Sequence, residues 1–137
     1  MERTLCIIKP DAVKKSVQGD IIQKILGAGF KICGMKMLRL SEQQAMKFYE
    51  VHKDKPFYKP LVEFMTSGNC IPIALEKINA VTDYRKLIGA TDPAEAEERT
   101  IRKMFANNKS ENAVHGSDSV ENGIKEVAFF FSESELT

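Results

Sequence analysis

The 137-residue sequence has no tryptophan, only two histidines and only three cysteines. Cys6, Cys33 and Cys70 lie far apart inside apolar runs and show no C-x-x-C spacing. That argues against a disulfide framework or a thiolate metal site, and for buried free thiols. An excess of one charge is also missing. With 20 Lys and Arg against 19 Asp and Glu, the formal net charge is +1, so no bulk field draws the chain to nucleic acid or an anionic membrane. No specific nucleic-acid partner is expected, and any bound anion must be met by a local cluster. No apolar run approaches membrane-spanning length, and Met1 leads into a charged, strand-like segment without an apolar signal core. A cytoplasmic protein with no membrane association is expected. Neither G-x-G-x-x-G nor G-x-x-x-x-G-K-[ST] occurs, which excludes the glycine loops that cradle phosphate with backbone amides.

What is present fits one domain over residues 1–137 with a real core. Thr4 to Ile8 is a run of strand formers stopped by Lys9-Pro10-Asp11, which places Lys9 at the end of a sheet. Val17, Ile21, Ile22, Ile25 and Leu26 recur at helical spacing, with Gly29 where a left-handed C-cap is expected. Phe30 to Leu40 alternates loosely and reads as a second strand. Ser41-Glu42-Gln43-Gln44 has the spacing of a capping box. The helix it opens has Ala45, Phe48, Tyr49 and His52 on one stripe, so His52 is expected to be structural or half-exposed. Pro56-Phe57 opens a further helix through Met65.

Cys70 to Leu75 is a third strand, in which Pro72 removes a ladder donor and predicts a local bulge. Asn79 starts a short helix that Gly89 closes. Between Ala90 and Glu111 periodicity fades, and a loop of that length in a compact domain is usually functional. Ser119 to Lys125 reads as a modest helix broken by Gly123, and Val127 to Phe131 as a buried final strand. The tally is an α+β chain: a ferredoxin-like βαββαβ fold, with a four-stranded antiparallel sheet, helices on one face and a long loop insertion before the last helix and strand.

The stretch Asn112-Ala113-Val114-His115-Gly116-Ser117-Asp118 carries the chemistry. A neutral imidazole is a nucleophile when an acceptor holds its proton on the other nitrogen. Ser117 and Asp118 are near in sequence, and Gly116 clears space beside the ring. The same residues could equally cap a loop, with Ser117 or Asp118 as N-cap of the next helix. Phosphate-handling cations flank the unpatterned stretch: Lys9, Arg85 and Arg102, with Thr91 adding a hydroxyl. The arginine fork matches paired phosphate oxygens, and its charge does not titrate away.

With these residues in view, the chain resembles the nucleoside diphosphate kinases nearly end to end, from Arg3-Thr4 to Glu135-Leu136. The signature of that family, Asn, two variable residues and His-Gly-Ser-Asp, stands intact at Asn112 to Asp118. Supporting blocks are Ile8 to Val13, Phe64 to Gly68, Gly89 to Pro93, Thr100-Ile101-Arg102 and Ser117 to Glu121. The resemblance implies ping-pong transfer of the γ-phosphoryl of a nucleoside triphosphate to His115 and on to a nucleoside diphosphate. It implies that Phe57 stacks on the base, that Lys9 and Asn112 hold the ribose hydroxyls near the phosphates, and that Arg85, Thr91 and Arg102 grip phosphate oxygens. Tyr49 would line the pocket, and Ser117 and Glu126 would orient His115. Asp118 would help anchor the site and a hydrated Mg²⁺ bridging the phosphates. A homo-oligomer, tetramer or hexamer, built from a dimer is implied as well.

Several positions depart from the family pattern. Glu98-Arg99 replaces Pro-Gly, Lys103-Met104 precedes Phe105, Asn69 stands for a proline, and Pro72 is extra. Lys109 falls near the base pocket. The competing reading is a nucleotide- or nucleic-acid-binding module without turnover, which would not need the nucleophile.

Overall fold

The computed structural model describes residues 1–137. Its elements are β1 (Glu2–Ile8), α1 (Pro10–Lys14), α2 (Gln18–Gly27), β2 (Lys31–Met35), α3 (Glu42–Phe48), α4 (Tyr58–Met65), β3 (Ile71–Lys77), α5 (Ala80–Ile88), α6 (Ile101–Phe105), β4 (Val114–Gly116) and α7 (Val120–Phe130). The four strands pair in the order β2-β3-β1-β4, and every pairing is antiparallel. This is the ferredoxin-like sheet that the sequence predicted.

Period-two alternation in β1 divides the core. Cys6 and Ile8 face α2 and α5, packing with Ile21, Ile25, Tyr84 and Ile88. Leu5 and Ile7 face the opposite side, with Ala45, Val62, Met65, Val127 and Phe130 from α3, α4 and α7. Helices therefore cover both faces, not one. The central strand is apolar on both sides because both sides are buried. The three cysteines are buried free thiols, and burial pushes Cys6 up to about 12.

Three further expectations need correction. Val127 to Phe131 is no strand: α7 runs through Phe130, with Val127, Phe130 and Phe131 buried while Ala128 and Phe129 are exposed. A short apolar run does not distinguish strand from helix by periodicity. The last strand is instead the histidine segment, so the insertion lies between α5 and β4, and α7 follows the sheet. Nor does Gly123 break the helix. A Cβ there would stand 2.5 Å from the Arg3 carbonyl oxygen, so the glycine lets α7 lie directly on β1.

Pro72 causes no bulge either. Cys6, Ile7 and Ile8 pair in regular register with Ile73, Pro72 and Ile71. On the other side the Lys36 amide donates to the Pro72 carbonyl at 3.2 Å, and the reciprocal bond that proline cannot make falls just past the end of β2. The bulge lies in β2, between Ile32 and Gly34. The capping box is as expected, with the Gln44 amide donating to Ser41 Oγ and the Ser41 amide to the Gln44 side chain.

Candidate active site

β4 pairs with β1 through Val114, His115 and Gly116, opposite Ile8, Ile7 and Cys6. His115 shares the β1 face of Leu5 and Ile7, beneath α3 and α7. Gly116 points the other way: a Cβ there would meet Tyr84 and Ile88 at 3.0 and 3.1 Å, so its role is to seat β4 against α5, not to clear room for the imidazole.

The His115 side chain is 17% exposed, and its Nε2 lies 2.8 Å from Glu126 Oε1, one α7 turn beyond Gly123. Ser117 Oγ donates to the same oxygen at 2.7 Å and accepts from the Leu5 amide at 3.0 Å. An ionised carboxylate only accepts. The proton of the neutral ring is therefore held on Nε2, and Nδ1 keeps its lone pair. Phe48 packs edge-on against the ring, with centroids 5.6 Å apart.

His115 opens into a cleft of about 490 Å³ that Lys9, Tyr49, His52, Phe57, Thr91 and Lys109 also line. Phe57 is 49% exposed at the N-terminus of α4 and lines the cleft. Tyr49 is buried with its hydroxyl unpartnered, and burial raises its pKa. Lys9 is buried at the start of α1 and donates from Nζ to Asn112 Oδ1 at 2.8 Å. Asn112 in turn donates to the Lys109 carbonyl at 3.0 Å. Burial, and secondarily Arg102, lowers the Lys9 ammonium to about 8.

A neighbouring cavity of about 540 Å³ is lined by Arg85, Thr91 and Arg102, so Thr91 borders both spaces. Arg102, on α6, is buried and fixed by two carbonyls, Gly89 at 3.1 Å and Val114 at 2.9 Å. Its Nε has no partner. Burial lowers its pKa first, and the charge of Arg85 acts in the same sense. At this corner any side chain in place of Gly89 is strained, since its φ is +87° and a Cβ would lie 2.6 Å from Thr100 Oγ1.

The structure thus brings Lys9, Tyr49, Phe57, Thr91 and His115 around one cleft, with Asn112 buried behind Lys9 and Arg85 and Arg102 adjoining in the neighbouring cavity. Asp118 stands apart: it is exposed and accepts from Asn122 at 2.6 Å. No cluster of three His, Cys, Asp or Glu side chains is present. His52 is half-buried as expected, although on a 3-10 turn and against Phe57, with centroids 5.2 Å apart. Phe48 and Asp11, which prove to touch the site's framework, were missed. Phe48 was visible only as part of a helical stripe, and nothing local marked Asp11.

Fixed cations beside a ring nitrogen with a free lone pair are the equipment of a nucleotide phosphotransferase, where alignment and charge neutralisation carry the reaction. The family described as nucleoside diphosphate kinase matches residues 2–136. The enzyme of that name from Chloroherpeton thalassium is 62% identical over 98% of this chain and 96% of its own, and that from Salinibacter ruber is 55% identical over 98% and 95%. Among solved structures, the Aquifex aeolicus nucleoside diphosphate kinase superposes with a TM-score of 0.97 at 42% identity, covering 99% of both chains. A Halobacterium salinarum nucleoside diphosphate kinase in complex with CDP gives 0.95 at 38%, covering 99% of this chain and 91% of that one. The chain belongs to the nucleoside diphosphate kinase family. It is a phosphotransferase that passes the γ-phosphoryl of a nucleoside triphosphate to a nucleoside diphosphate through a phosphohistidine.

Proposed function

We propose that residues 1–137 act as one nucleoside diphosphate kinase domain in which Nδ1 of His115 is the atom phosphorylated. The observation that carries this is the 2.8 Å contact of Nε2 with Glu126, which leaves Nδ1 as the free nucleophile. Nδ1 attacks the γ-phosphorus, the bond from that phosphorus to the β–γ bridging oxygen breaks, and the diphosphate leaves with the electron pair. A second nucleoside diphosphate reverses the step with its terminal oxygen. Glu126, supported by Ser117, holds the ring and disperses the positive charge it gains. Lys9, Arg85, Thr91 and Arg102 hold phosphate oxygens, and the unpartnered Tyr49 hydroxyl adds a donor beside the histidine. Asn112 and Lys9 reach the ribose hydroxyls as a hydrogen-bonded pair.

The base stacks on Phe57. Stacking without a buried hydrogen-bond reader tolerates purines and pyrimidines alike, consistent with CDP in the halobacterial relative.

Phosphoryl transfer of this kind uses a divalent cation. The donor set here is cationic and contains no carboxylate cage, which suits Mg²⁺ arriving on the nucleotide phosphates with its waters. Asp118 would reach it only through water. No helix is long and apolar enough to cross a membrane, and a cytoplasmic enzyme is part of the proposal. So is a homo-oligomer, tetramer or hexamer, built from a dimer, which the edge position of β2 with its exposed Met35 supports, although the Thr137 amide already takes the Cys33 carbonyl. Sedimentation distinguishes the two.

The test is a half-reaction. Protein incubated with γ-labelled ATP and freed of nucleotide should carry label that is lost in acid and kept in base. It should hand that label to ADP, GDP, CDP or UDP, and His115→Ala should take up none. Labelled His115→Ala protein, or label that no diphosphate accepts, would overturn the proposal.

A further inference from the structure

Ala113 is fully buried and has φ = +72°, a left-handed conformation that a residue with a side chain adopts at a cost. The Val114 amide donates to the Asn112 carbonyl at 2.8 Å, two residues back, so Asn112-Ala113-Val114 is a γ-turn of the rare, strained hand. This turn separates the two halves of the site. On one side it presents Asn112 to Lys9 Nζ, and on the other it starts β4, which carries His115. Relaxing Ala113 to a negative φ would redirect both.

Three contacts hold the turn against that relaxation. One is its own internal bond. The second is the Lys9 amide donating to the Ala113 carbonyl at 2.9 Å. The third comes from a side chain: the Ala113 amide donates to Asp11 Oδ2 at 3.1 Å. Asp11 is buried, and its other oxygen, Oδ1, has no partner. A carboxylate shut away from water with half its acceptors empty is costly, and the bond from the strained amide is the first of the contacts that offset that cost, ahead of the charges of Lys9 and Lys15.

We propose that Asp11 is a positioning residue, which locks the strained turn at Ala113 and so sets the aim of both Asn112 and His115. This rests on His115 being the phosphorylated residue and adds a role that touches no substrate. A plainer role is also open to Asp11, as an acidic residue in the first turn of the five-residue α1. The two roles separate at position 113. Glycine adopts a positive φ without penalty, so Ala113→Gly removes the need for a lock but does nothing for α1.

The experiment measures the single-turnover rate of phosphohistidine formation from γ-labelled ATP at saturating nucleotide. Wild type, Asp11→Ala, Asp11→Asn and Asp11→Ala/Ala113→Gly are compared, and the fold of each is checked by near-UV circular dichroism. Label on wild-type His115 secures the underlying reading independently. Asp11→Ala is expected to be about tenfold to hundredfold slower, the range that one strained residue commands. Asp11→Asn, which keeps an acceptor for the Ala113 amide, is expected to be faster than Asp11→Ala, and the double variant should recover most of the wild-type rate. Two results would overturn the proposal: Asp11→Ala as fast as wild type, or a double variant as slow, or as unfolded, as Asp11→Ala.

Discussion

Glu126 on α7 and His115 on β4 meet at 2.8 Å, and the contact occupies Nε2, one of the two imidazole nitrogens. Ser117 donates to the same carboxylate oxygen, which fixes it in place. Glu126→Gln would offer a donor where only an acceptor now stands, favouring the tautomer with the proton on Nδ1. We expect kcat to fall about 10- to 100-fold, the usual range for an orienting partner, with little change in KM. Stopped-flow measurement of phosphoenzyme formation reads this, and an unchanged rate would contradict the role.

In the proposed mechanism Lys9 sets the alkaline limb. Burial, then the charge of Arg102, lowers its ammonium to about 8, with Asp11 opposing. In the proposed mechanism the ammonium form of Lys9 is the one that binds phosphate, and it dominates below that pH. Accordingly kcat/KM, which reports the free enzyme, should fall as pH rises through about 8. Lys9→Gln should be much less active and lack that break.

Gly89→Ala should damage both stability and nucleotide binding. The new Cβ would stand 2.6 Å from Thr100 Oγ1 at a φ of +87°, and the Gly89 carbonyl is one of two anchors for Arg102. A loss of about 2 kcal/mol or more should appear in urea melts, together with a raised KM.

Arg99→Gly should do the opposite. Arg99 is exposed with φ = +71° at the position where the family pattern has glycine. Removing its Cβ relieves left-handed strain of about 1–2 kcal/mol, less the added freedom of a glycine in the unfolded chain. A net gain of about 0.5–1 kcal/mol is expected, with kcat unaffected, by thermal melts and steady-state assay.

The fold was legible wherever local chemistry and burial agree. The Ser41 capping box, the β1 run ending at Lys9 and the closure of α5 at Gly89 all follow from residues close in sequence. It was misread where a tertiary contact decides. Gly123 looks like a helix breaker until the Arg3 carbonyl is seen beside it, and Val127 to Phe131 looks like a strand until its exposed Phe129 shows a helical period. Pro72 was harmless because β2 stops where the missing bond would fall. In the site, the resemblance named Lys9, Tyr49, Phe57, Thr91 and His115, which line one cleft, and also Asp118, which stands apart from it. The carboxylate of Asp11 was invisible because its partner, Ala113, lies 102 residues away and betrays nothing by type.

The most direct test of the account is the position of the new bond on the imidazole. With ¹⁵N-labelled histidine and ³¹P detection, the phosphorylated protein should show phosphorus coupled to Nδ1 of His115 and a proton retained on Nε2. Phosphorus on Nε2, or on the hydroxyl of Ser117, would contradict it.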